Sequence, residues 1–206
     1  RQVNVDVEGE GLVLLKNDGD ALPLDKGSNV SFAISGSANL LYATHGPGVR
    51  KQGTLYDLKD AITSQTDLTV NEATYNFLKD GAGKSNRGIK NGVFRTDEVP
   101  WSTYTASGIN EEYKKSGGTV IAVITRHSGE GADISWNGSD GVDGSYLTLT
   151  ANEYSILEGL NQLKKAGDID KIVVLINSAL TLQCDFIDNE LYGIDAAMWI
   201  GLPGAS

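Results

Sequence analysis

Between Thr125 and Ser135 the chain reads TRHSGEGADIS, directly after the apolar run TVIAVIT. Glu130 stands between two glycines, which remove steric cover and open backbone conformations closed to other residues. A carboxylate so presented is approachable, and the chemistry it offers is general acid/base catalysis beside a rigid sheet. The competing reading is a solvated carboxylate in a Gly-rich turn. Arg126 and His127 precede the glycines and either brace the loop through hydrogen bonds or reach a ligand hydroxyl. Asp133 follows Glu130 by three residues, a spacing that fixes no shared face on a loop and suits a turn-forming Asp. Trp136 shares the loop and offers a flat face to a sugar ring, as Trp101 does elsewhere, and both also suit hydrophobic anchoring.

Other chemistries find less support. The segment GSANLLYATHGPGVRKQG after VSFAIS is glycine-rich but matches neither phosphate-binding fingerprint, so its glycines serve turns. Ser178 lacks the G-x-S-x-G elbow of a nucleophilic serine. His45 and His127 are too few and too distant in sequence to suggest a serine triad or a metal site. The single cysteine, Cys184, excludes a disulfide framework, and its apolar neighbours mark it as a small buried hydrophobe. We therefore expect no cofactor and no metal. A net charge of −10 with scattered basic residues argues against a nucleic-acid partner. No apolar run reaches the roughly 18 residues of a membrane span, so no membrane partner is expected. No signal pattern is legible, which favours a cytoplasmic setting, although Arg1 and the closing GLPGAS give both ends a cut look.

These residues need elements to position them. VSFAIS (30–35), TVIAVIT (119–125), KIVVLIN (171–177) and AAMWIG (196–201) have the β-branched, apolar character of buried strands, with DLTVNE near Leu68 as a shorter candidate. The spacing predicts a helix over 151–166, opened by a Thr150/Glu153 capping box and stopped by Gly167. Further helices are predicted over 55–62, 72–79 and 110–115. Strands alternating with helices imply one α/β domain with a mostly parallel sheet sandwiched between helices. The stretch 80–107 is polar and without clear period, and reads as a long excursion. Ligands meet such sheets at the carboxyl ends of their strands. Three loops qualify: those after VSFAIS, TVIAVIT and KIVVLIN.

EGLVLLKNDGDALPL (10–24) resembles the opening of the α/β-sandwich domain of family 3 glycoside hydrolases, and ITRHSGEGAD (124–133) resembles that domain's acid/base loop. YLTLTANE, KIVVLIN and GIDAAMWIGLPG follow in the order such a domain requires, so the resemblance spans nearly the whole chain. It implies part of a retaining β-glycosidase of β-glucosidase type, acting on terminal nonreducing β-D-glycosides or oligosaccharides. It further implies Glu130 as the acid/base and an Asp nucleophile on a barrel domain absent from this sequence, so that residues 1–206 would be inactive alone. Retention needs two carboxyl groups roughly 5–5.5 Å apart, which two domains can present from opposite walls of a cleft. Ile134 stands where many relatives carry Arg, which puts that Arg's contacts in doubt here, and the sandwich ends early. YATHGPGVRKQGTLYDLKDAI and DNELYGIDAAMWIG are similar to members in which the sandwich precedes the barrel. The alternatives are a non-catalytic carbohydrate-binding or supporting domain and, by fold analogy alone, a phosphate-binding α/β domain.

Overall fold

The computed structural model describes residues 2–46, 56–135 and 145–203 of the 206. A helix, α1 (Gln2–Gly11), leads into β1 (Val13–Asn17), then β2 (Asn29–Ala33), α2 (Leu58–Gln65), β3 (Thr69–Val70) and α3 (Glu72–Lys79). The strands β4 (Asn86–Lys90) and β5 (Val93–Asp97) precede α4 (Trp101–Ala106) and α5 (Ile109–Ser116). The second half runs β6 (Thr119–Arg126), β7 (Asp133–Ile134), α6 (Ala151–Lys165), β8 (Lys171–Ser178) and β9 (Ala196–Trp199).

The main sheet has the order β1-β9-β8-β6-β2-β3, parallel throughout except where β1 runs antiparallel to β9. The mostly parallel α/β architecture expected from the sequence is present. β6 and β8 form its centre, pairing in unbroken register from Thr119↔Lys171 to Arg126↔Ser178. All eight residues of β6 are buried, and its apolar run over 120–124 suits a strand covered on both faces. Helices α3 and α5 pack on β2 and α6 packs on β8, with α4 between α5 and α6. Thr150 and Glu153 close the expected capping box at the start of α6. Helix α2 starts later than the spacing predicts, because the Asp57 side chain caps it by accepting from the Asp60 N–H.

The stretch read as an aperiodic excursion is the main correction. Most of it is the β4–β5 hairpin followed by α4. The hairpin turns at Asn91-Gly92, both at positive φ (52° and 78°), the Asn-Gly signature of a two-residue hairpin turn. Its strands escape a periodicity test because β4 is largely exposed, so alternation is faint. β7 adds to β5 in parallel, making a small second sheet next to the loop that carries Glu130.

Candidate active site

β6 ends at Arg126, just before the half-buried His127, and two sequence-distant segments meet there. The chain leaving β2 turns through a tight helical turn at Ser35–Ala38 and crosses toward β8. Asn177 on β8 holds it: the Leu41 N–H donates to Asn177 Oδ1 (2.6 Å), and Asn177 Nδ2 donates to the Leu41 carbonyl (3.0 Å). Arg87 on β4 donates to the Asn39 carbonyl (2.6 Å), and burial lowers its pKa. The chain then returns to lie beside the Glu130 loop, where His45 pairs with Gly129 as an isolated parallel bridge.

The two glycines around Glu130 now have separate explanations. At Gly129 (φ 141°) a Cβ would stand 1.9 Å from the His45 carbonyl oxygen, so only glycine lets the strands approach. Gly131 (φ 86°) takes a left-handed turn that returns the chain toward β7. Glu130 itself is exposed. It lines an open cleft of about 670 Å³ together with Tyr42, Thr44, His45, Gly46 and His127. It is the single carboxylate among those lining residues.

His127 shares this cleft, as a ligand-contacting residue must. Its ring lies edge-on to Phe94 (5.1 Å) and to His45 (5.8 Å), and its Nδ1 is buried with no hydrogen-bond partner among the described residues. Burial lowers its pKa, with Arg87 and then His45 adding to the effect, which favours the neutral imidazole.

Arg126 does not reach the cleft, which corrects the expectation of a substrate contact there. Its side chain is 1% exposed, and its nitrogens donate to the carbonyls of Tyr146, Thr148 and Thr125 and to both oxygens of Glu153 (2.8 Å each). Burial opposes its charge, but the Glu153 carboxylate outweighs burial and raises its pKa. Arg126 is thus a brace between the end of β6 and the start of α6. Trp101 is likewise structural: it stacks on Tyr104 (5.2 Å) and presses against Gly159 of α6. Asp133 begins β7 rather than making a turn, its N–H donating to the Gly92 carbonyl (2.9 Å). Ser178 closes on its own loop, exchanging hydrogen bonds with the Leu180 backbone. Cys184 is half-buried, and its thiol donates to the Leu182 carbonyl (3.4 Å). Trp136 lies outside the described residues.

Sequence reasoning passed over Tyr42, His45 and Gly46 as parts of the site. Their segment is one of the three candidate loops, but nothing local shows that it folds onto Glu130. Among the described residues no three His, Cys, Asp or Glu side chains gather to hold a metal ion, and no helix is long and apolar enough to cross a membrane.

Comparison with known proteins follows the same lines. No protein-family model matches the chain. β-Glucosidase A of Butyrivibrio fibrisolvens is 27% identical over 133 residues, which is 64% of this chain and 15% of that protein. β-Glucosidase 3B of Thermotoga neapolitana, solved with glucose, superposes with a TM-score of 0.74 at 21% identity, covering 98% of this chain and 27% of that one. A β-glucosidase from Paenibacillus barengoltzii gives 0.72 at 20%, covering 98% and 21%. The chain shares the fold of a part of each of these solved β-glucosidases. A β-glucosidase of Bifidobacterium adolescentis named as GH3 shares the fold at a TM-score of 0.64 and 14% identity, over 98% of this chain and 25% of its own. The family 3 resemblance read from the motifs is therefore met in the fold, over a small part of each relative's length.

Proposed function

We propose that this chain is the sandwich domain of a retaining β-glycosidase of β-glucosidase type, and that Glu130 is its acid/base. The observation that carries the reading is the placement of Glu130: exposed, at the carboxyl end of a central parallel strand, in a cleft lined by no other carboxylate among the described residues. An acid/base must be open to substrate on one side and held on the other, and Glu130 is both. Double displacement requires a second carboxyl group roughly 5–5.5 Å away to attack the anomeric carbon. That nucleophile would come from a barrel domain elsewhere in the parent polypeptide, so residues 1–206 alone would not turn over a glucoside.

In this mechanism the protonated Glu130 donates to the glycosidic oxygen as the nucleophile attacks. Its carboxylate then takes a proton from the water that releases the sugar. His127 lines the same cleft and would contact a hydroxyl of the leaving group through the ring nitrogen other than the buried Nδ1, as donor or acceptor according to its tautomer. The substrate is a terminal nonreducing β-D-glycoside.

The test uses the complete polypeptide. Glu130→Ala should slow hydrolysis of alkyl glycosides by about 10²–10⁴-fold, the usual worth of positioned proton transfer. Activated aryl glycosides, whose phenolate leaves without a proton, should enter the covalent intermediate at nearly normal rates. Azide should then rescue the second step and give a β-glycosyl azide. Equal losses on both substrate classes with no azide product would return Glu130 to the status of a loop carboxylate.

A further inference from the structure

The cleft contains one residue whose geometry the acid/base reading leaves unused. His45 meets residues 128–130 at three points. Its N–H donates to the Ser128 carbonyl (2.6 Å), and its own carbonyl accepts from the Glu130 N–H (3.0 Å). Its imidazole Nδ1 lies 3.0 Å from the Glu130 carbonyl oxygen. A carbonyl can only accept, so Nδ1 carries the proton in this contact.

The last two bonds fall on either side of the same α-carbon. One fixes the peptide plane before Glu130 and the other the plane after it, so together they fix the direction of its Cα–Cβ bond. A segment with glycine on both sides has wide backbone freedom without such restraint. The imidazole is itself held, edge-on to Phe94 at 6.0 Å and to His127 at 5.8 Å, and Phe94 is 1% exposed, so it belongs to the core. The next residue completes the fit. A Cβ on Gly46 would come within 3.6 Å of both Cβ and Oε2 of Glu130, so the Glu130 side chain lies beside the His45-Gly46 segment.

We propose that His45 is a positioning residue for the acid/base, its imidazole fixing the direction in which the Glu130 carboxyl enters the cleft. This rests on the reading of Glu130 given above. Proton donation and water activation use the same carboxyl in nearly the same place, so the loss of His45 should slow both steps. A misplacement near 1 Å can cost on the order of 10²-fold.

The experiment compares four forms of the complete polypeptide: wild type, E130A, H45F and H45N. Phenylalanine keeps a ring against Phe94 and His127 but lacks the Nδ1 donor. Asparagine places an amide N–H close to where Nδ1 stands. H45F should lose roughly 10- to 100-fold in kcat/KM on alkyl glycosides and less in kcat/KM on activated aryl glycosides, where slowed water activation should instead lower kcat, while H45N recovers most of the loss. Thermal midpoints within a few degrees of wild type establish that each form is folded. An H45F enzyme with the leaving-group dependence of wild type, or an H45N enzyme no better than H45F, overturns the positioning role alone, provided E130A behaves as an acid/base variant. If E130A shows no leaving-group dependence, the acid/base reading fails and this inference falls with it.

Discussion

Arg126 and Glu130 stand four residues apart at the end of one strand, and the protein treats their charges in opposite ways. Arg126 is sealed under Tyr146, Thr148 and Glu153. Glu130 faces solvent and, among the described residues, is held through its backbone by His45. A buried charge must be matched by a partner, and that partner locks its geometry. A carboxylate meant to meet a ligand must keep its oxygens uncommitted, so its support has to come from the peptide groups around it. The fold therefore spends its ion pair beneath the loop and its hydrogen-bond clamp within it.

Breaking the sealed pair should have the largest effect on stability. Arg126→Met strands the Glu153 carboxylate in a buried site and should cost about 3–5 kcal/mol, read from denaturant unfolding of the chain. Adding Glu153→Gln should recover part of that cost, since the charge left alone is then gone. A double variant less stable than Arg126→Met would show that the pair is not what ties β6 to α6.

A second buried carboxyl beneath the site sharpens the contrast through pH. Glu98 is 4% exposed and accepts from the Ser35 N–H (3.1 Å) at the start of the segment that leads to His45. Burial raises its pKa from 4.5 to about 7; the Ser35 hydrogen bonds oppose this and the Glu153 charge adds to it. Between those two values the folded state binds the proton that the unfolded chain has released, so stability falls as pH rises through the window and levels off above it. Glu98→Gln cannot titrate. It should gain on wild type by on the order of 3 kcal/mol across the window, at about 1.36 kcal/mol per unit. Denaturation curves at both ends of the window measure this, and parallel pH profiles for the two proteins would count against it.

The smallest effect belongs to Glu130. Because its side chain faces solvent, Glu130→Gln should change stability by less than about 0.5 kcal/mol, as surface substitutions usually do. A large loss in the same unfolding experiment would mean that the carboxylate works for the fold, and the comparison with Arg126 would collapse.

Much of the scaffold was legible because its signals are local. β6, β8 and β9 are short apolar runs with turn residues at their ends, and the α6 capping box is four consecutive residues. The β4–β5 hairpin is legible in the turn chemistry of Asn91-Gly92 but not in periodicity, because β4 is largely exposed. The role of Arg126 was half legible: a charge closing a buried, largely apolar strand needs a partner, but 27 residues separate it from Glu153. His45 and Glu130 are 85 residues apart, and no local pattern joins them.

The sequence by itself determined the strands, the capped helix and a carboxylate made approachable by flanking glycines, because propensity, hydrophobic period and steric freedom act over a few neighbouring residues. Only the tertiary structure decided which charge would be sealed and which exposed, and which loop would hold Glu130. Those outcomes depend on the register of β6 between β2 and β8, which brings Asn177, the segment after β2 and the Glu130 loop together at the carboxyl ends of the central strands. Register is fixed by the summed burial of whole strands, and burial on that scale is a property of the packed chain rather than of any stretch of it.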